Sequence, residues 1–169
     1  NYDYSTLMND MRQLQTVYPF LRISSIGNSV EGREIPEVLI GDGEKRVHYN
    51  ASFHANEWIT TPIILTFLND YALSLTNQTP IRGLNTLPLY SQASLSIVPM
   101  VNPDGVDLVL NGLPEESPWR DRVIEWNNGS SDFSGWKANI RGVDLNDQFP
   151  ARWELERARN PKVPGPRDY

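Results

Sequence analysis

The chain has 169 residues, a net charge of −6 and no cysteine. That length suits one domain with a sizeable core, and the lack of cysteine excludes disulfides, thiolate metal ligands and a cysteine nucleophile. No basic block and no apolar run near the roughly 20 residues of a membrane span are present, so neither nucleic acid nor membrane insertion is expected.

In chain order, residues 5–18 predict a helix, because Leu7, Met11, Leu14, Val17 and Tyr18 recur at helical spacing before Pro19. Leu21–Ile26 and Ile35–Ile40 predict two strands around a turn at Glu31-Gly32. Val47–Phe53 predicts a strand ending at His54. Ile59–Leu75 predicts the strongest helix, with Ile59, Ile63, Ile64, Phe67, Leu68, Tyr71 and Leu75 on one face. Residues 76–88, polar and punctuated by Pro and Gly, predict a loop, with a short helix within it as the alternative. Ala93–Val101 predicts a strand buried on both faces, running into a turn at Asn102-Pro103-Asp104-Gly105. Residues 111–142 predict an ordered irregular loop that presents Trp119, Trp126 and Trp136 to a substrate. Residues 160–169, with three prolines, predict an extended loop. Strand, helix, strand in this order predicts a sheet with parallel elements, whose sites sit at the carboxyl ends of strands.

The chemistry centres on His54-Ala55-Asn56-Glu57-Trp58. An imidazole at a strand end and a carboxylate three residues later can converge on one point, and mixed nitrogen and oxygen donors suit Zn²⁺. A plain alternative is that Glu57 is only a favourable acid in a first helical turn. His48 is the other histidine. Six residues along the same predicted strand place it about 20 Å away, so it cannot share a metal with His54. A second cluster runs from Trp136 to Pro150. In it Lys137 or Arg141 could stabilise an oxyanion, and Asn146 could hold a substrate carboxylate or carbonyl. The plain alternative there is a loop that satisfies its own backbone.

Four pieces in order resemble the zinc carboxypeptidase family: Gly32-Arg33, His54-x-x-Glu57-Trp58, Asn102-Pro103-Asp104-Gly105 and Gly142-Val143-Asp144-Leu145-Asn146. The resemblance implies an α/β fold, a mixed and largely parallel sheet flanked by helices, with Zn²⁺ at the strand ends. It implies that His54 and Glu57 are the first two zinc ligands and that Asn146 contacts the substrate. Two positions depart from the digestive members. Lys137 stands where an Arg polarises the scissile carbonyl, giving a point charge without a planar fork. Asp147 stands where an Arg grips a free C-terminal carboxylate, and an acid there repels such an end.

The stretch from Gly142 to Ala151 resembles the bacterial γ-D-glutamyl-L-diamino acid endopeptidases, which cut peptidoglycan stem peptides. Asp147 would then meet the extra ammonium of diaminopimelate or lysine. The resemblance places the third zinc ligand (a His), the general base (a Glu) and a capping Tyr beyond residue 169. Residues 1–169 are therefore expected to be the N-terminal portion of one metallopeptidase domain, with weak zinc binding and no hydrolysis of its own. An exposed apolar sheet edge is expected to seek the other half or a second copy. The alternatives are an ordinary metallocarboxypeptidase, opposed by Asp147, and a non-catalytic module that binds cell-wall peptide. An amidohydrolase of acylated amino acids is opposed by the Asn-Pro-Asp-Gly piece.

Overall fold

The computed structural model describes residues 1–169. Four strands, β1 (Arg22–Asn28), β2 (Glu34–Ile40), β3 (Lys45–Asn50) and β4 (Ala93–Val98), form one sheet in the order β1-β2-β4-β3. The sheet is mixed, as expected, but only the β3–β4 ladder is parallel, while β1–β2 and β2–β4 are antiparallel. The largely parallel character is therefore not met within these residues. The reason is the connections: a short turn joins β1 to β2, which permits only an antiparallel pair, whereas a helical crossover joins β3 to β4.

Helix α1 (Tyr4–Val17) is capped by Asp3, whose side chain accepts from the Thr6 N–H. Helix α2 (Thr60–Asn77) is the crossover, followed by the short α3 (Thr86–Gln92). Leu7 and Met11 of α1, Leu65, Leu68 and Tyr71 of α2, and Val38, Ile40, Leu95 and Ile97 of the sheet make the main core. The buried arc of α2 matches the expected one in part: Leu68 and Tyr71 are buried and Ile64 and Leu75 pack against the core. Ile59, Ile63 and Phe67 are exposed, and Thr61, Leu65, Leu68, Tyr71 and Ala72 face inward. The helix is apolar nearly all round, so spacing alone could not select the arc.

The Asn102-Pro103-Asp104-Gly105 piece is not a free turn. It opens α4 (Pro103–Asn111), with Asn102 as the cap and Pro103 at the first helical position. Within the expected irregular stretch 111–142 lies α5 (Arg120–Trp126), and α6 (Trp153–Arg159) precedes the Pro-rich loop. Leu108, Val123, Phe133, Trp136, Ala138 and Ile140 pack together as a second, smaller core. Trp136 is fully buried in it, and so braces the loop from inside instead of facing a substrate.

Strand β3 lies at one edge of the sheet, and all six of its residues are exposed. Beside it, Val47, Tyr49, Phe67, Leu84 and Leu89 line an apolar cavity of about 250 Å³. No helix in the chain is long and apolar enough to cross a membrane.

Candidate metal centre

The parallel pair β3 and β4 sends both of its outgoing loops from the same end of the sheet. The pairing outlasts the strands: Ala51 N–H donates to Val98 O, Val101 N–H to Ala51 O, and Asn102 N–H to Ser52 O. His54 therefore lies four residues past the end of β3 and not at the strand end itself, and Asn102 lies four past the end of β4. His54 caps a single 3₁₀ turn, Ala55–Glu57, which brings Glu57 back beside it.

A third segment closes on the pair. Ala55 N–H donates to Lys137 O and Asn56 N–H to Trp136 O. Asn102 is the joint between all three segments. Its Nδ2 reaches Phe53 O at 3.3 Å, Lys137 O at 3.3 Å and Ala138 O at 3.0 Å, while its Oδ1 accepts from Gly105 N–H at 3.1 Å. This packing explains Gly105: a Cβ there would lie 2.6 Å from Asn102 Nδ2 and 2.7 Å from Ala138 O. The Pro-rich loop backs the arrangement, with Pro166 O accepting from Lys137 and Ala138 N–H and Tyr169 O accepting from Asp144 N–H.

His54 is held from both sides. Its Nε2 lies 3.1 Å from Asp144 Oδ1, and its Nδ1 lies 3.2 Å from Glu57 Oε1. Asp144 is buried and also accepts from Asn146 N–H and Asp168 N–H. A proton on Nε2 donates to the Asp144 carboxylate, and Nδ1 faces the Glu57 carboxylate. Either a proton on Nδ1 or a bound cation bridges such a pair. Two ligand atoms each about 2.05 Å from a tetrahedral zinc sit about 3.4 Å apart, close to the separation found here. The donor set thus fits Zn²⁺, and Asp144 supplies the carboxylate that orients a ligating histidine.

Lys137 Nζ stands 3.7 Å from Glu57 Oε1. Of the residues singled out in the sequence, His54, Glu57 and Lys137 are thus brought together. Arg141 is exposed, and no hydrogen bond or ion pair ties its guanidinium to the cluster. Asn146 is exposed and free to meet a ligand. Asp147 is half-buried and accepts from Asn160 Nδ2 at 3.1 Å. Burial, then the carboxylates of Asp144, Asp168 and Glu156, push its pKa above the usual range. His48 sits in β3, bonded to Ser96 Oγ at 2.8 Å, and takes no part. No group of three ligand-type side chains includes His54 and Glu57, so residues 1–169 offer that pair alone.

Asp144 and Asn102 were quoted in the motifs but given no role by sequence reasoning. An invitation was there in each case: a carboxylate preceding Asn146 by two residues, and an Asn before Pro, which is a helix-cap signature. Replacing Asp144 with Asn should leave the fold intact and weaken zinc binding by about 10- to 100-fold. Competition against a zinc chelator on the full-length protein measures this, and an unchanged affinity would remove Asp144 from the site.

The profile of zinc carboxypeptidases matches residues 7–169. The gamma-D-glutamyl-L-diamino acid endopeptidase 1 of Lysinibacillus sphaericus is 69% identical over the whole chain, which covers 43% of that protein. The Bacillus subtilis protein YqgT is 47% identical over 99% of the chain and 45% of its own length. Among solved structures, bovine thrombin-activatable fibrinolysis inhibitor superposes on 69% of this chain and 39% of its own, with a TM-score of 0.54 and 18% identity, a likeness of fold. The chain spans less than half the length of these relatives.

Proposed function

The chain belongs to the zinc carboxypeptidase family, and from that premise we propose that it is the first part of the catalytic domain of a zinc metallopeptidase that hydrolyses the γ-D-glutamyl–diamino acid bond of peptidoglycan stem peptides. The hydrolase reading is carried by the pairing of His54 Nδ1 with Glu57 Oε1 at 3.2 Å while Asp144 holds the far side of the ring. The choice of bond is supported by the 69% identity to an endopeptidase of that name and by Asp147 directly after Asn146.

His54 and Glu57 would hold the zinc, joined by a ligand from outside residues 1–169. When bound, zinc lowers the pKa of a water and polarises the scissile carbonyl. Asp144 keeps the imidazole in one tautomer and one orientation. Lys137 places a positive charge next to Glu57, where it stabilises the oxyanion that develops on the carbonyl oxygen. Arg141 is the second candidate for that charge. Asn146 orients the substrate through its amide. A carboxylate from outside these residues accepts the proton of the water. Asp147 repels a free C-terminal carboxylate and favours an ammonium, which turns the site away from ordinary peptide ends.

The test uses the full-length protein and two peptides, one ending in a γ-D-glutamyl–diamino acid unit and one ordinary C-terminal substrate. The first should be cut with a kcat/KM at least about 100-fold higher. Asp147→Arg should narrow that ratio by about 10-fold or more, through charge reversal near the substrate. A preference for the ordinary peptide, or a ratio unmoved by the substitution, would overturn the assignment.

A further inference from the structure

The bend that carries the chain from β3 to His54 contains a strained residue. Ser52 has a φ of 51°, a left-handed conformation that is costly for any residue but glycine and persists only where neighbours hold it. It is also 2% exposed, so its hydroxyl needs an internal partner. That partner is Thr61. Thr61 Oγ1 uses its one proton on Pro99 O at 2.6 Å, so Ser52 Oγ donates to Thr61 Oγ1 at 2.7 Å. Ser52 O accepts from Asn102 N–H at 3.1 Å. The bend is thereby fixed to the segment that leaves β4 and to the start of α2. The Ser52 N–H is used differently. It donates at 2.9 Å to Thr60 Oγ1, which in turn donates at 2.8 Å to Glu57 O. One hydroxyl therefore joins residue 52 to residue 57 and closes the short segment in which His54 and Glu57 both lie. A bond from Thr60 to Glu57 O alone would be ordinary at a helix start. The second bond, from the strained residue, ties the helix end to the bend.

We infer that Thr60 is a positioning residue for the candidate metal centre: its hydroxyl latches the Ser52 bend to the Glu57 carbonyl and so sets the 3.2 Å approach of Glu57 Oε1 to His54 Nδ1. The inference rests on the reading of that pair as zinc ligands and extends it. Donors held in place before an ion arrives bind it more tightly than donors that must first be gathered, because less freedom is lost on binding. Thr60 acts only through backbone groups, one on each side of His54.

The experiment measures zinc affinity of the full-length protein by competition with a chelator, and the visible spectrum of its Co²⁺ form, which reports ligand geometry. Thr60→Val keeps the branched shape and removes the hydroxyl, leaving the Ser52 N–H and the Glu57 carbonyl without that partner. It should weaken zinc binding by about 10-fold, the scale for losing a hydrogen bond that supports a metal ligand, and alter the Co²⁺ bands. Thr60→Ser puts a hydroxyl back, and should return the affinity to within about 3-fold of the wild type and restore the spectrum. Thr60→Ala takes the place of the valine variant if that one does not fold. Ser74→Ala removes a buried hydroxyl at the far end of α2, where Ser74 Oγ meets Thr86 Oγ1 at 2.6 Å. It should lower the urea midpoint and leave zinc affinity unchanged. An unchanged affinity without the Thr60 hydroxyl, or an equal loss in Ser74→Ala, overturns the positioning role and leaves the zinc reading standing. Absence of zinc binding by the wild type, or binding that survives His54→Ala, overturns the zinc reading and the positioning role with it.

Discussion

Full-length protein carrying His54→Ala should lose stoichiometric zinc and at least about 10³-fold of its peptide hydrolysis. A catalytic zinc rests on three protein ligands, and removing one leaves a set that neither binds tightly nor fixes the geometry. The loss has a second component here. With the imidazole gone, the buried Asp144 carboxylate loses its 3.1 Å partner, and Glu57 keeps only the Lys137 ammonium at 3.7 Å. Added zinc therefore should not rescue the variant. Metal analysis of the purified protein, together with steady-state rates, checks both halves. Retention of one zinc per chain would place the metal elsewhere.

Asp104→Ala should cost about 3 kcal/mol of stability, the scale for breaking a buried ion pair. Asp104 is 2% exposed and accepts from Arg33 Nη1 at 2.5 Å, Ser29 Oγ at 2.7 Å and Glu31 N–H at 3.0 Å. It thus ties the β1–β2 turn to the first turn of α4, where a negative charge also favours the helix end. Arg33 keeps Glu31 and Asp107 as partners and is partly exposed, which holds the cost to the lower end of the range. The urea midpoint of the full-length protein against Asp104→Ala reads the difference, and a loss below about 1 kcal/mol would show the knot to be dispensable.

Much of the architecture was legible because local chemistry marks it. The α1 stripe stops at Pro19, the β1 and β2 strands flank Glu31-Gly32, and the His54-x-x-Glu57 spacing closes through one 3₁₀ turn. What was hidden depends on distant partners. His54 and Asp144 are 90 residues apart. Neither neighbourhood announces the contact, which depends on Asn102 binding the carbonyls of the 53 and 137–138 segments and on Ala55 and Asn56 N–H donating to Lys137 and Trp136 O. The inward face of α2 is only partly legible, for a related reason. Several of its faces are apolar, and the one that turns inward is decided by Val38, Ile40, Leu95 and Ile97 on the sheet. Helices α5 and α6 were passed over because seven residues are too few for a periodicity to show.

During folding, His54 and Glu57, the proposed zinc donors, meet almost at once, since three residues separate them and closing so short a loop is fast. Their orientation comes late. The carboxylate that turns the imidazole, and the Pro166 and Tyr169 carbonyls that anchor its loop, wait for the last third of these residues to dock. On the proposed role of this pair, an ion arriving before docking would meet two unoriented donors, and one arriving after it would meet a ring already aimed.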